Sequence, residues 1–218
     1  MTALYERERT GKGRFVEVSM LESVYFSLSS SLGLYYGSGG KGPPRTGNRH
    51  AGLAESPYNV YPTKDGWLAL ICVTDGHWAQ LIEAMQRPEL ADDARFATLK
   101  SRVAHMDLVD DIVATWTGQF GKDELFKLLM KHRVPCAPVR DLGEVMNDPH
   151  LHARDALRRV NHPTLGEIVL ATGAMRFSDK PLELVPSKEL GADNVSIYRD
   201  WLGLSDAELN ACGKEGAI

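Results

Sequence analysis

The chain of 218 residues carries 43% hydrophobic and 25% charged side chains and a net charge of −4, the balance of one large or two small globular domains; it excludes a disordered tail, a collagen-like repeat and a basic nucleic-acid field. No apolar run reaches the ~18 residues of a membrane span, and the charged opening stretch, residues 1–9, has no apolar signal-peptide core. Cys72, Cys136 and Cys212 lie too far apart for a disulfide framework or a zinc motif, which points to a reducing, cytoplasmic setting.

A charged helix over 4–9 meets the glycine turn Thr10-Gly11-Lys12-Gly13. Residues 14–18 read as a short strand. Ser19 and Glu22 then have capping-box spacing, ahead of a helix with Leu21, Val24, Leu28 and Leu32 on one face. An isolated strand needs partners for its backbone groups, so this opening reads as a piece of something larger, and the chain is expected not to be a free monomer. Residues 37–57 form a long glycine-rich segment, a length that in compact domains marks a functional loop or a linker.

Beyond it the pattern is regular. Residues 67–73 read as a buried strand. Thr74 or Asp75 can cap a helix whose apolar face is Trp78, Leu81, Ile82 and Met85. A second helix shows Leu108, Val109, Ile112, Val113 and Trp116, and a third shows Leu125, Phe126, Leu128 and Leu129. Residues 133–139 are a proline-braced connector, and Asp141 with Glu144 repeats the capping box. Residues 158–162 and 167–171 form a hairpin around Thr164-Leu165-Gly166. That hairpin is expected to share one central sheet with 67–73, with Trp78 buried against it. Pro181 and Pro186 punctuate the tail. Asn194 caps a helix carrying Tyr198, Trp201 and Leu202, and Ser205 with Glu208 caps the last one.

The residues offer no convincing nucleophile, base or metal cage. Gly11-Lys12-Gly13 lacks the spacing of a phosphate loop and leads into a strand. Gly37-Ser38-Gly39 is no nucleophile elbow. His150 and His152, two apart, would not share a helix face. Cys136 near His132 is flanked by Pro135 and Pro138 and reads as a structural, buried thiol. The glycine-rich segment has two readings that can both hold: a loop whose backbone approaches a ligand, or an interdomain linker.

Six stretches in order carry a resemblance across nearly the whole chain. They are residues 3–14 with Val16-Glu17-Val18-Ser19; Gly47-Asn48-Arg49-His50 with Pro57-Tyr58-Asn59-Val60-Tyr61 and Asp65-Gly66; residues 88–98; residues 134–139; Asn147-Asp148-Pro149-His150; and Leu202-Gly203-Leu204-Ser205. Together the chain resembles the C-terminal portion, containing the small domain, of class III CoA-transferases, the CaiB/BaiF family.

The resemblance implies an α/β fold: an α+β small domain plus pieces of a Rossmann-like large domain. Residues 1–36 would be a strand and helix of the large domain, 37–55 a glycine-rich linker or loop, 56–171 the small domain, and 172–218 a linker and helices returning to the large domain. The complete family member is expected to be an interlaced-ring dimer.

The implied activity moves CoA between an acyl-CoA and a small carboxylic acid. An aspartate attacks the thioester to give a mixed anhydride and then an aspartyl thioester. That aspartate belongs to a CoA-binding half that precedes these motifs, so no catalytic residue is assigned here, and neither Asp65 nor Asp75 takes the role. Gly47, Asn48, His50 and Gly52 would form a substrate-binding loop closing over the reactive intermediates.

No metal or permanent cofactor is implied; coenzyme A is a substrate. The expected partner is a second copy or a CoA-binding half, without which the chain is expected to be inactive, and neither nucleic acid nor membrane is expected. Two other readings stand beside this one. An α-methylacyl-CoA racemase-like epimerase would carry an acid where this chain has Thr74. A truncated, non-catalytic remnant would serve only as a partner of another chain.

Overall fold

The computed structural model describes residues 1–175 and 183–218. Pro181 lies outside the described residues. The fold mixes α-helices with two small antiparallel sheets. The chain divides into two compact units, Met1–Val139 and Arg140–Ile218.

The first unit opens with helix α1 (Thr2–Thr10), ended by Gly11 in the left-handed conformation, where φ is 69°. Residues 14–18 form no regular element and pair with no strand among the described residues, which corrects the expected strand. Their N–H and C=O groups have no sheet edge to meet in this unit, and Phe15 is 90% exposed. Ser19 caps α2 (Met20–Tyr25) by accepting the Glu22 amide. A 3₁₀ turn, Phe26–Leu28, then interrupts the expected single helix before α3 (Ser29–Gly37). Residues 1–55 contain no buried side chain.

The core lies further on. Strands β1 (Tyr58–Thr63) and β2 (Gly66–Ile71) form an antiparallel hairpin, and β3 (Cys136–Pro138) pairs antiparallel with β2. The sheet order is β1-β2-β3. Pro138, which donates no hydrogen bond, sits on an edge strand where its missing N–H does no harm. Leu68 and Leu70 alternate inward with the period of a strand, and Cys72 continues the row. Trp67 faces outward, so the strand is buried on one face only.

The helices that follow build the core with that face. Thr74, rather than Asp75, caps α4 (Asp75–Met85) by accepting the His77 amide at 3.1 Å. Trp78, Leu81, Ile82 and Met85 are buried as the 3.6-residue period requires. Short helices α5 (Glu89–Asp92) and α6 (Leu99–Ala104) lead to α7 (Met106–Thr117), which buries Val109 and Val113, and α8 (Lys122–Lys131), which buries Leu125 and Leu129.

Arg102 is fully buried among these apolar groups. Its guanidinium donates to the carbonyls of Ser56 and Phe96, both at 3.0 Å, and to Asp75 Oδ1 at 2.9 Å, and it lies 5.3 Å from the centre of the Trp78 ring. Every part of the cation meets an acceptor or a π face, so its charge is tolerated there.

In the second unit, Asp141 and Glu144 form the expected capping box at α9 (Leu142–Met146). Asp148 accepts from the amides of His150 and Leu151 at the start of α10 (Pro149–Ala153). The predicted hairpin is β4 (Leu157–His162) paired with β5 (Gly166–Ala171), turning at Gly166 with φ 71°. It forms a separate two-stranded sheet, which corrects the expectation of one shared central sheet. Neither of its strands is registered on β1, β2 or β3, because alternation within a hairpin specifies pairing to its neighbour and nothing beyond it. After residue 182, Asn194 precedes a π-helical stretch, Val195–Trp201, without a side-chain capping bond. Ser205 and Glu208 form a full capping box on α11 (Asp206–Lys214).

Candidate functional site

The glycine-rich segment begins where α3 ends. Gly39 and Gly40 have φ of 60° and 79°, and their amides turn back to the carbonyls of Tyr36 and Tyr35 at 3.1 and 2.8 Å. Two consecutive left-handed residues stop the helix, and glycine adopts that conformation without steric cost. Gly42 N–H then donates to Ser38 Oγ at 2.9 Å. Pro43 and Pro44 follow and donate nothing. The chain next turns through Thr46, Gly47, Asn48 and Arg49, closed by the Arg49 amide on the Thr46 carbonyl at 3.3 Å.

The four expected loop residues divide into two pairs. Gly47 and Asn48 are exposed at the turn, with Gly47 at φ 64°. His50 and Gly52 are half-buried and touch: the Gly52 amide donates to His50 Nδ1 at 3.3 Å, and the imidazole stacks on the Tyr58 ring at 5.0 Å. A Cβ at Gly52 would stand 3.0 Å from His50 Cε1, so the position has room for little beyond glycine while that ring keeps its place. Gly47, with Leu32, Tyr35 and Thr46, lines a cleft of about 610 Å³ between α3 and the segment. His50 and Gly52, with Ser30, Gly33 and Ser38, line a second depression of about 480 Å³.

Arg49, inside the same motif, anchors the segment, a role that the spacing of the motif does not announce. Its Nε donates to Asp110 Oδ2 at 2.6 Å and its Nη2 pairs with Asp107 Oδ1 at 2.7 Å. Asp110 is buried on α7 and also receives Asn59 Nδ2 at 3.1 Å and the Tyr61 hydroxyl at 2.5 Å, both from β1. Partial burial works against the charge on Arg49, but the hydrogen bonds and charges of Asp107 and Asp110 outweigh it and hold its pKa above the usual guanidinium value. Burial, then the neighbouring Asp110 charge, pushes the Tyr61 phenol far above its ordinary value, so it remains a donor. One sequence signal for this cluster existed: Asp110 is an acid inside the apolar stripe Leu108, Val109, Ile112, Val113.

The carboxylates nearest in sequence serve structure. Asp65 accepts the Lys122 amide at 2.7 Å at the start of α8, together with Thr63 Oγ1 at 3.2 Å, and the amide bond holds its carboxyl below the usual range. Asp75 is paired with Arg102. Burial pushes the Cys72 thiol up to about 12 and the half-buried Cys136 thiol up to about 11, so neither forms a thiolate near neutrality. His132 faces Glu83 at 3.8 Å, and His152 Nε2 lies 2.8 Å from the Met146 carbonyl. Among the described residues, no group of three His, Cys, Asp or Glu side chains could hold a metal ion, and no helix is long and apolar enough to cross a membrane.

Comparison with known proteins adds the family that these residues do not announce. The family model described as CoA-transferase family III matches residues 1–194. The chain is 35% identical over 211 residues to the succinyl-CoA–D-citramalate CoA-transferase of Chloroflexus aurantiacus, covering 96% of this chain and 52% of that protein. It is 36% identical over 174 residues to the succinyl-CoA:mesaconate CoA-transferase of Haloarcula hispanica, covering 80% of this chain and 42% of that one. The chain thus spans about half the length of the curated relatives it matches. Among solved structures, a CaiB/BaiF family protein from Brucella suis superposes with a TM-score of 0.74 at 30% identity, covering 91% of this chain and 51% of that one.

Proposed function

The chain belongs to CoA-transferase family III, and from that premise we propose that it forms part of an enzyme moving CoA from an acyl-CoA to a small carboxylic acid. The observation that carries this reading is the match to two transferases whose names pair succinyl-CoA with a short dicarboxylic acid, at 35% and 36% identity. A short dicarboxylate is accordingly the proposed class of acceptor.

The nucleophile comes from outside these 218 residues. Asp65 and Asp75, the carboxylates flanking β2, are already committed to the start of α8 and to Arg102. An aspartate of a CoA-binding half, in the same polypeptide or in a partner chain, attacks the thioester carbonyl. The C–S bond breaks, the CoA thiolate leaves with the electron pair, and a mixed anhydride forms. The thiolate then attacks the aspartyl carbonyl, releasing the first acid and leaving an aspartyl thioester. The acceptor carboxylate repeats the sequence in reverse and departs as the new acyl-CoA. CoA is substrate throughout, and no permanent cofactor takes part.

The residues present supply a cover. Gly47, Asn48, His50 and Gly52 lie over the anhydride site and limit its hydrolysis. In this proposal residues 1–36 belong to a large domain, 37–55 to the linking loop, 56–171 to the small domain and 172–218 to the return to the large domain. The exposed apolar side chains of residues 15–28 are covered in the assembled protein, as an interlaced dimer or against the CoA-binding half. Light scattering on this chain should show concentration-dependent association. The three free thiols suit a cytoplasmic setting. Thr74, where the epimerase branch is expected to carry an acid, caps α4 instead.

A mass-based CoA-exchange assay tests the reading. The purified chain should show no exchange between succinyl-CoA and a dicarboxylate, and adding the CoA-binding half should restore it. Gly52→Pro, which removes the amide bonded to His50 Nδ1 and crowds the imidazole, should then displace His50 from the cover and lower turnover more than it lowers the melting temperature. Sustained exchange by the chain alone, with an acyl group trapped on one of its own carboxylates, overturns the proposal.

A further inference from the structure

We propose that Arg49 is the positioning residue of the candidate site: seated on Asp110, it fixes the point at which the loop leaves the three-stranded sheet, so that only residues 43–48 are left to move. The inference rests on the reading of that loop as the cover over the reacting groups.

The two ends of the glycine-rich segment are held and its middle is not. At the α3 end, the Gly40 amide is bonded to the Tyr35 carbonyl and the Gly42 amide to Ser38 Oγ. At the sheet end, Asp110 gathers donors from Arg49, Asn59 and Tyr61, so one buried carboxylate ties the loop, β1 and α7 together. The span between contains Pro43 and Pro44, which have no N–H. The hydrogen bonds at its far end are local: Thr46 Oγ1 donates to the Arg49 carbonyl at 3.2 Å and the Arg49 amide to the Thr46 carbonyl.

A moving cover needs a pivot, because its closed position is reproducible only if one end does not slip. Arginine suits that role. Its planar fork reaches Asp107 and Asp110 at once, which the point charge of lysine cannot match. Directly beyond the pivot, the imidazole of His50 stacks on Tyr58, and the Gly52 and Leu53 amides donate to His50 Nδ1 and to the His50 carbonyl. These two amides therefore report whether the pivot holds.

Hydrogen exchange on the full 218-residue chain is the test. Arg49→Gln should speed exchange at Gly52 and Leu53 on the order of tenfold to a hundredfold, the size of a lost hydrogen bond to a charged group, with a clearly smaller rise in β1 and α7. Arg49→Lys should recover part of the protection. Unchanged exchange at Gly52 and Leu53 in Arg49→Gln overturns the proposal. So does an equal rise in β1 and α7, which would make Arg49 a general structural prop. If Arg49→Gln melts as a whole, Arg49→Lys carries the same test: a rise confined to the loop supports the pivot, and none, or a uniform one, overturns it. Turnover of Gly52→Pro bears on the cover reading and exchange in the free chain bears on Arg49, so the two ideas fail separately.

Discussion

Helices α1 to α3 and helices α4 to α8 treat the same kind of side chain in opposite ways. Leu21 on α2 is 79% exposed and Leu81 on α4 is wholly buried, although each lies on the apolar stripe of an amphipathic helix. The stripe is a local property of 3.6-residue spacing, whereas burial needs a second surface. Helix α4 finds it in the core that also holds Leu68, Leu70, Val109 and Leu125. The first three helices bury no residue of their own. The boundary falls at the arginine pair: Arg49 and Arg102 fasten residues 49 and 56 to the cored part, and everything before them lacks such a seat.

Cutting into the cored side should produce the largest effect. Trp78 is 3% exposed and packs beside Phe96 and Arg102, so Trp78→Ala should cost roughly 3–5 kcal/mol in chemical denaturation. A loss below about 1 kcal/mol would mean that the ring is not part of the core.

A matched pair sharpens the contrast. Leu81→Ala should cost about 2–5 kcal/mol, while Leu21→Ala should stay within about 0.5 kcal/mol in this chain. In the proposed assembly with a CoA-binding half, the second value should grow. Equal losses in the free chain would erase the distinction between the two regions.

The buried thiols bring a pH dependence to the cored side alone. Burial pushes the Cys72 and Cys136 thiols up to about 12 and about 11 from the ordinary 9.0. Between pH 9 and those values the unfolded chain releases protons that the folded chain keeps. Stability is therefore complete below pH 9 and falls as pH rises through that window. The melting temperature should decline steadily there, and iodoacetamide at pH 8 should leave Cys72 unmodified and react slowly with the half-buried Cys136 in the native chain. Rapid alkylation of Cys72 would contradict its burial.

The smallest effect belongs to Asp65, exposed in the turn between β1 and β2, where it accepts the Lys122 amide at the start of α8. Its folded pKa lies below the ordinary 3.8, so it contributes stability above pH 3.8 that is lost as pH falls through the folded value. Asp65→Asn should flatten the acid limb of the denaturation midpoint and change little at pH 7. An unaltered acid limb would remove Asp65 from the account.

Much of this architecture was written locally. Ser19, Thr74, Asp141 and Ser205 cap the helices that their spacing with the following residues announces, since a cap is a bond within one turn. The faces of α4, α7 and α8 and the β4–β5 hairpin follow the same short-range rule. The order of six modest motifs carried the family, because order along a chain is itself sequence information. What sequence spacing could not reveal lies between residues far apart along the chain. The meeting of Arg49, Asn59, Tyr61 and Asp110 spans 61 positions, and nothing local requires an acid on α7 to receive a loop arginine. The expected strand at 14–18 stayed unpaired, and the hairpin formed its own sheet, for the same reason. Pairing is a property of two surfaces, and only the tertiary fold decides which surfaces meet.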